Sequence, residues 1–140
     1  MQLGIIAVGQ MRSEGEMPLV EKFRQRIEAS GRQLGISGLS IIELREKRAL
    51  TGGDKKSSEN ALIADALAQM QVEHVFAIVS IHNMPILDAI NRLGKTRIID
   101  VRHEQAGTHA ADGYARASGK LGVMIASTGP GTSNTVTGLY

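Results

Sequence analysis

The chain has no cysteine and no tryptophan, and only two phenylalanines and two tyrosines among its 140 residues. Without cysteine there is no disulfide, no thiolate metal site and no cysteine nucleophile. That usage fits a cytoplasmic protein. Scarce aromatics argue against a platform that stacks nucleic-acid bases, so no nucleic-acid partner is expected on this ground. The core must instead rest on Ile, Leu, Val, Ala and Met. No apolar run is long enough to span a membrane. The apolar start, residues 1–8, is short and has no basic region before it, so it reads as a first strand. An excess of charge of one sign is also nearly absent, with a formal net charge of +2. The one basic cluster, Arg45, Lys47, Arg48, Lys55 and Lys56, is interrupted by Glu46 and Asp54. It reads as a solvated loop rather than an RNA contact. With 42% hydrophobic and 21% charged residues, the chain should be globular. Its length suits one domain with a real core.

What is present alternates between two periods. Leu3-Gly4-Ile5-Ile6-Ala7-Val8 is a continuous apolar run typical of a buried parallel strand. Glu14, Glu16 and Pro18 then favour a helix start, and Leu19, Val20, Phe23 and Ile27 follow at helical spacing. Residues 39–44 form a second strand. Residues 45–58, with Gly52-Gly53, read as a loop or linker. Ser57 or Ser58 can cap a helix carrying Ala61, Leu62, Ala64, Ala66, Leu67 and Met70. Residues 75–81 are a third strand. A helix containing Pro85, Leu87 and Ile90 is closed by Gly94, and residues 96–101 are a fourth strand. A small-residue helix over 104–118 is closed by Gly119. Residues 121–126 are a fifth strand, and a last helix starts at Pro130. Strand and helix alternate five times, which implies right-handed crossovers. The expected fold is a three-layer α/β/α domain with a mostly parallel five-stranded sheet, flavodoxin- or Rossmann-like. The alternative is two subdomains hinged near Gly52-Gly53.

In a parallel sheet the segments just past the carboxyl ends of strands converge on one edge. Glu104, residues 80–83 and residues 127–131 are therefore expected to share a crevice. From spacing alone, Glu104 is a helix-start carboxylate favoured by the helix dipole. His103 reads as a surface or packing residue, and His82 and His109 have no metal-ligand spacing with a carboxylate. Gly129-Pro130-Gly131 lacks the lysine and the spacing of a phosphate loop, so it reads as a strand-to-helix turn with proline at the first helical position. The small face Ala106, Gly107, Ala110, Ala111, Gly113 and Ala115 allows close approach of another backbone or a ligand.

Several stretches, taken in order, carry a resemblance. They are Ala66-Leu67-Ala68-Gln69-Met70-Gln71-Val72-Glu73-His74-Val75-Phe76, then His82-Asn83-Met84-Pro85-Ile86-Leu87-Asp88-Ala89-Ile90, then Arg102-His103-Glu104-Gln105, residues 110–119, and Ser127-Thr128-Gly129-Pro130-Gly131-Thr132-Ser133-Asn134. From about residue 60 to 140 the chain resembles the pyrimidine-binding domain of acetolactate-synthase-like thiamine-diphosphate enzymes. The resemblance implies that Glu104 hydrogen-bonds N1′ of the aminopyrimidine and favours the imino tautomer. The cofactor's N4′ then removes the C2 proton, and the resulting ylid attacks a 2-keto acid. It further implies that His82, Asn83, Gly129, Pro130, Gly131 and Asn134 line the cofactor site, with no metal ligand in this stretch. An apolar setting would raise the Glu104 pKa. Two positions depart from the family. Gln71 stands where glycine is usual, and Ala77-Ile78-Val79-Ser80-Ile81 replaces a Gly-rich turn. The stretch ends at Tyr140, before the rest of the pyrimidine domain and the magnesium- and diphosphate-binding domain, so the module should not turn over alone. The family's site also lies between two subunits.

The first half is similar to something else. Ile5-Ile6-Ala7-Val8-Gly9, Met11, Leu19-Val20-Glu21-Lys22-Phe23, Arg26, Gly31, Leu34-Gly35 and Ile42-Glu43-Leu44-Arg45-Glu46-Lys47-Arg48-Ala49 resemble the amino-terminal half of the SPOUT rRNA pseudouridine methyltransferases. Gln10 replaces an expected lysine. That resemblance implies S-adenosylmethionine and the ribosome or rRNA as alternative cofactor and partner, although the family's donor pocket lies in a half not seen here. The organisation expected is a chimera, natural or engineered, of a segment 1–55 and a segment 56–140. A folded scaffold without catalysis is a third alternative. An incomplete sheet leaves apolar surface uncovered, so a homodimer is expected.

Overall fold

The computed structural model describes residues 2–8, 15, 17–44 and 53–138. The basic cluster around Arg45, Lys47 and Arg48, and the Gly52 half of the expected hinge, lie outside the described residues. The chain divides into two compact units, Met1–Leu50 and Thr51–Tyr140.

The first unit is a β-α-β crossover. Strand β1 (Gln2–Val8) pairs in parallel with β2 (Gly38–Leu44), in a register running from Gln2 opposite Gly38 to Val8 opposite Leu44. Helix α1 (Met17–Gly31) connects them, followed by a 3-10 turn at Arg32–Leu34. Pro18 sits in the first turn, where its missing N–H has no intrahelical partner to lose. The apolar positions of α1 divide. Val20 and Ile27 are half-buried and Gly31 is buried against Ile36, but Leu19 and Phe23 are exposed. One position along a helix is about 100° of rotation, which carries Leu19 and Phe23 off the covered stripe. The Arg26 guanidinium lies over the Phe23 ring, 6.0 Å from its centroid.

The second unit starts with α2 (Gly53–Gln69), then β3 (His74–Ala77), α3 (Met84–Leu93), β4 (Arg97–Asp100), α4 (Glu104–Ser118), β5 (Val123–Ile125) and α5 (Pro130–Val136). All pairings are parallel, and the order is β4-β3-β5. The central position of β3 explains its continuous apolar run. Val75, Phe76 and Ala77 are all buried, as a strand covered on both faces requires. Helix α2 packs on α3, whereas α4 packs on α5 and on β3 and β5. Val72, Val75 and Ile90 are the largest fully buried side chains.

Two expectations change. The five strands do not join in one sheet. Among the described residues β1 pairs only with β2, and β3, β4 and β5 pair only among themselves. Alternation of strand and helix dictates parallel neighbours but not which edges meet, because pairing between segments is non-local. The expected loop over 45–58 is also too long, since α2 begins at Gly53. Gly53 is the first residue of that helix, and an acidic residue such as Asp54 suits a helix start. By contrast, α4 occupies residues 104–118 as its pattern requires, and Gly94 and Gly119 close α3 and α4 in the left-handed conformation.

Candidate functional site

The order β4-β3-β5 places a reversal of direction beside β3. The chain leaves β3 for β4 on one side, then crosses back over β3 to reach β5. A crevice opens at the carboxyl ends of strands where connections diverge in this way. Three segments meet that edge: residues 78–83 after β3, residues 101–104 after β4 and residues 126–129 after β5.

Glu104 is the first residue of α4 and is half-buried. His103 sits in extended backbone before it, and its Nδ1 accepts from the Gln105 amide at 3.2 Å. His103 therefore caps the helix, a role its sequence position allowed but its residue type obscured. The Glu104 carbonyl accepts from Thr108 Oγ1 at 2.9 Å. Its carboxylate meets α5, where Asn134 Nδ2 donates to Oε2 at 3.1 Å. The other oxygen lies over Gly131, where a Cβ would stand only 3.0 Å from Oε1 and 3.1 Å from Ser127 Cβ. A side chain at 131 would therefore crowd both Glu104 and Ser127.

The turn before α5 is built for this contact. Gly129 has φ 64° and ψ −123°, a conformation essentially restricted to glycine. Pro130 opens the helix, Thr132 Oγ1 donates to the Ser127 carbonyl at 2.7 Å, and the Ser133 amide donates to the Gly129 carbonyl at 3.1 Å. The small face of α4 is used mainly inside the unit. Gly107 packs on Met124 and Val101, Ala111 on Gly122, and Thr108 on Gly138, while Gly113 remains exposed.

His82 reaches the same edge from the β3–α3 segment, and its Nδ1 lies 3.4 Å from Thr128 Oγ1. Asn83 is placed differently from a free ligand. It is 3% exposed, its Oδ1 accepts from the Ser80 amide at 2.8 Å, and its Nδ2 donates to the Ile78 carbonyl at 2.9 Å. Both ends of its amide hold the turn that presents His82. Thr128 joins the site through that contact, and its only signal was membership of the Ser127–Asn134 run.

The electrostatics of Glu104 overturn one expectation. Its carboxyl is held below the usual carboxylate value rather than raised. The Asn134 amide is the main cause, its own backbone N–H adds to it, and the nearby His103 contributes in the same direction. Partial burial pushes upward but is outweighed. A carboxylate receiving donors in a half-open crevice stays ionised.

Among the described residues no group of three or more His, Cys, Asp or Glu side chains is placed to hold a metal ion, and no helix is long and apolar enough to cross a membrane. An open cleft of about 500 Å³ lies at the opposite edge, against Glu73, His74, Lys95 and Arg97, away from Glu104.

Residues 59–140 match the family described as thiamine pyrophosphate enzyme, N-terminal TPP binding domain. An acetolactate synthase of Arthrospira platensis is 48% identical over 80 residues, covering 55% of this chain and 14% of that protein. The acetolactate synthase large subunit of Haemophilus influenzae is 44% identical over 85 residues, covering 61% of this chain and 15% of that protein. A chloroplastic acetolactate synthase of Arabidopsis thaliana is 46% identical over 78 residues, covering 56% of this chain and 12% of that protein. The chain thus spans about one seventh of the length of these relatives.

Proposed function

The chain belongs to the thiamine pyrophosphate enzymes through their N-terminal TPP-binding domain, and from that membership we propose that it supplies the aminopyrimidine side of a thiamine-diphosphate site in an acetolactate-synthase-type protein, with Glu104 facing the ring. The observation that carries this reading is the state of the Glu104 carboxylate. It stands at the crevice edge with one oxygen engaged by Asn134 and the other over a position with no side chain.

The residues present suit the pyrimidine half of that cofactor. A carboxylate set against a ring nitrogen would stabilise the protonated form of that nitrogen, the proton being shared between the two. Gly131 lets Oε1 sit close against α5, and Gly129 with Pro130 sets the turn that brings α5 there. His82, through Thr128, borders the approach from β3. We assign no magnesium or diphosphate ligand to this module and propose that it does not turn over alone. When bound, the cofactor supplies carbanion-stabilising chemistry for 2-keto acids. Glu104 holds the proton at the ring nitrogen, and the glycines admit the ring.

Calorimetric titration with thiamine diphosphate and magnesium tests this. Saturable heat that Glu104→Gln removes, while that variant still unfolds cooperatively, supports the assignment. No heat from a cooperatively folded parent chain overturns it.

The division between Leu50 and Thr51, close to the start of the family match at residue 59, supports treating the first fifty residues as a separate segment, for which we keep the SPOUT-like origin as a proposal. S-adenosylmethionine titrated in parallel tests whether any donor binding accompanies it. Ile81, at 85% exposure beside exposed Val79 and Met84, supports a homodimer that covers this rim. A monomer in light scattering across micromolar concentrations overturns the dimer.

A further inference from the structure

Glu104 and Asn134 lie thirty positions apart and meet because α4 and α5 are locked together at two levels. At one level Asn134 Nδ2 donates to Glu104 Oε2. At the other, Gly138 lies against Thr108, where a Cβ would stand 2.6 Å from Thr108 Cβ, and Thr108 Oγ1 donates to the Glu104 carbonyl. The helix start and its carboxylate are therefore both held from α5. The two carboxylate oxygens end up unequal. Oε2 has the Asn134 amide as donor, while Oε1 lies against Gly131, which has no side chain to meet it. Neither α5 nor the 126–129 segment carries a charged side chain, so the Asn134 amide, the Glu104 backbone N–H and the His103 ring next in sequence are the polar groups that act on Glu104.

We propose that Asn134 is the positioning residue for Glu104, pinning Oε2 so that Oε1 is the oxygen offered to the pyrimidine nitrogen. The inference rests on Glu104 facing the aminopyrimidine, and it adds which oxygen does so and what orients it. The side chain at 134 must donate without bringing a charge. Alanine leaves Oε2 without its donor and frees the rotamer. Aspartate keeps the shape but sets a second carboxylate beside the first.

The test needs no cofactor at first. In the full chain carrying 13C-labelled glutamate, the Glu104 carboxyl resonance, assigned with Glu104→Gln, is followed through an acid titration. In the parent it titrates below the ordinary carboxylate range. In Asn134→Ala it moves up toward that range, and in Asn134→Asp it moves further, while the amide spectrum remains that of the folded parent. Val136→Ala, on the same helix and exposed to solvent, leaves it in place. A second measurement is thiamine-diphosphate affinity, expected to fall about tenfold in Asn134→Ala, the effect of about 1.4 kcal/mol of lost orientation. A Glu104 titration unmoved in both folded variants overturns the proposal. If Asn134→Ala does not fold, Asn134→Asp, nearly isosteric, decides alone. A parent chain that binds no cofactor, with the variants still moving Glu104, overturns the functional reading while supporting the pinning itself.

Discussion

The Val72 amide donates to the Leu67 carbonyl at 2.9 Å, and with the Gln71 amide donating to Ala68 at 3.0 Å this closes α2 in a Schellman motif. Leu67 and Val72 are both buried, so the apolar contact that accompanies the motif is also made. The residue between must take a left-handed conformation, and it is Gln71, at φ 56°, the one non-glycine with positive φ among the described residues. Where the family usually has glycine, this chain carries a side chain in strained backbone. Gln71→Gly should stabilise the chain by roughly 0.5–1 kcal/mol, the left-handed penalty less the added chain entropy. A urea midpoint that falls instead would show that the Gln71 side chain makes a compensating contact.

Two glycines at the packed face of α4, Gly107 within it and Gly122 against it, should respond differently to alanine. A Cβ at Gly122 would collide with the backbone carbonyl of Ala111, which cannot swing aside. Gly122→Ala should therefore cost about 2–3 kcal/mol. A Cβ at Gly107 would meet the Met124 sulfur at 2.6 Å and Val101 Cγ2 at 3.0 Å. The thioether can move, and alanine gains about 1 kcal/mol of helix propensity, so Gly107→Ala should stay within about 1 kcal/mol of the parent. Equal losses in denaturant titrations would contradict this ranking.

Asn83→Ala should destabilise the chain by about 2 kcal/mol, because it removes a buried donor and acceptor that serve Ile78 and Ser80. Asn83→Asp keeps the acceptor to Ser80 and loses the donor to Ile78, so it should retain part of the turn. The His82 imidazole resonance should shift in both variants, since the turn presents it. Unchanged stability would mean that the turn is held by its backbone alone.

Across the sheet, Glu73 joins α4 to the β5 approach by accepting from Lys120 and from Tyr114, whose ring stacks edge-on to His74 with centroids 5.2 Å apart. Lys120 first, then Tyr114, holds the Glu73 carboxyl below its ordinary 4.5. Glu73 in turn pushes Lys120 above its ordinary 10.5. A depressed carboxylate contributes fully above its ordinary value and loses that contribution as pH falls through the lower folded one. A raised amine contributes fully below its ordinary value and loses that as pH rises through the higher folded one. The pair should therefore give a small plateau of added stability at intermediate pH. Glu73→Gln should flatten both limbs, and high salt should shrink the difference because the groups are exposed. A parent-minus-variant difference independent of pH would rule out the ionic contribution.

Much of the second unit was legible along the chain because its signals are local. Helix α4 matches its pattern from Glu104 to Ser118, where a small-residue face runs between a polar cap and Gly119. Strand β3 is shorter than its apolar run, since only Val75, Phe76 and Ala77 find neighbours on both sides while Val79 and Ile81 leave the sheet exposed. The motif runs brought Glu104, Gly131 and Asn134 into one site, but hydrogen-bond demand turned Asn83 toward its own loop.

By itself the sequence determined the succession of strands and helices, their glycine stops and the family of residues 59–140, because caps, periodicity and short motifs act over a few neighbouring residues. Tertiary structure decided that the five strands pair as two groups and that Glu104 is held ionised rather than made more basic. Both depend on groups far apart in sequence: strand edges that must find each other, and an amide thirty residues away whose hydrogen bond outweighs the cost of partial burial.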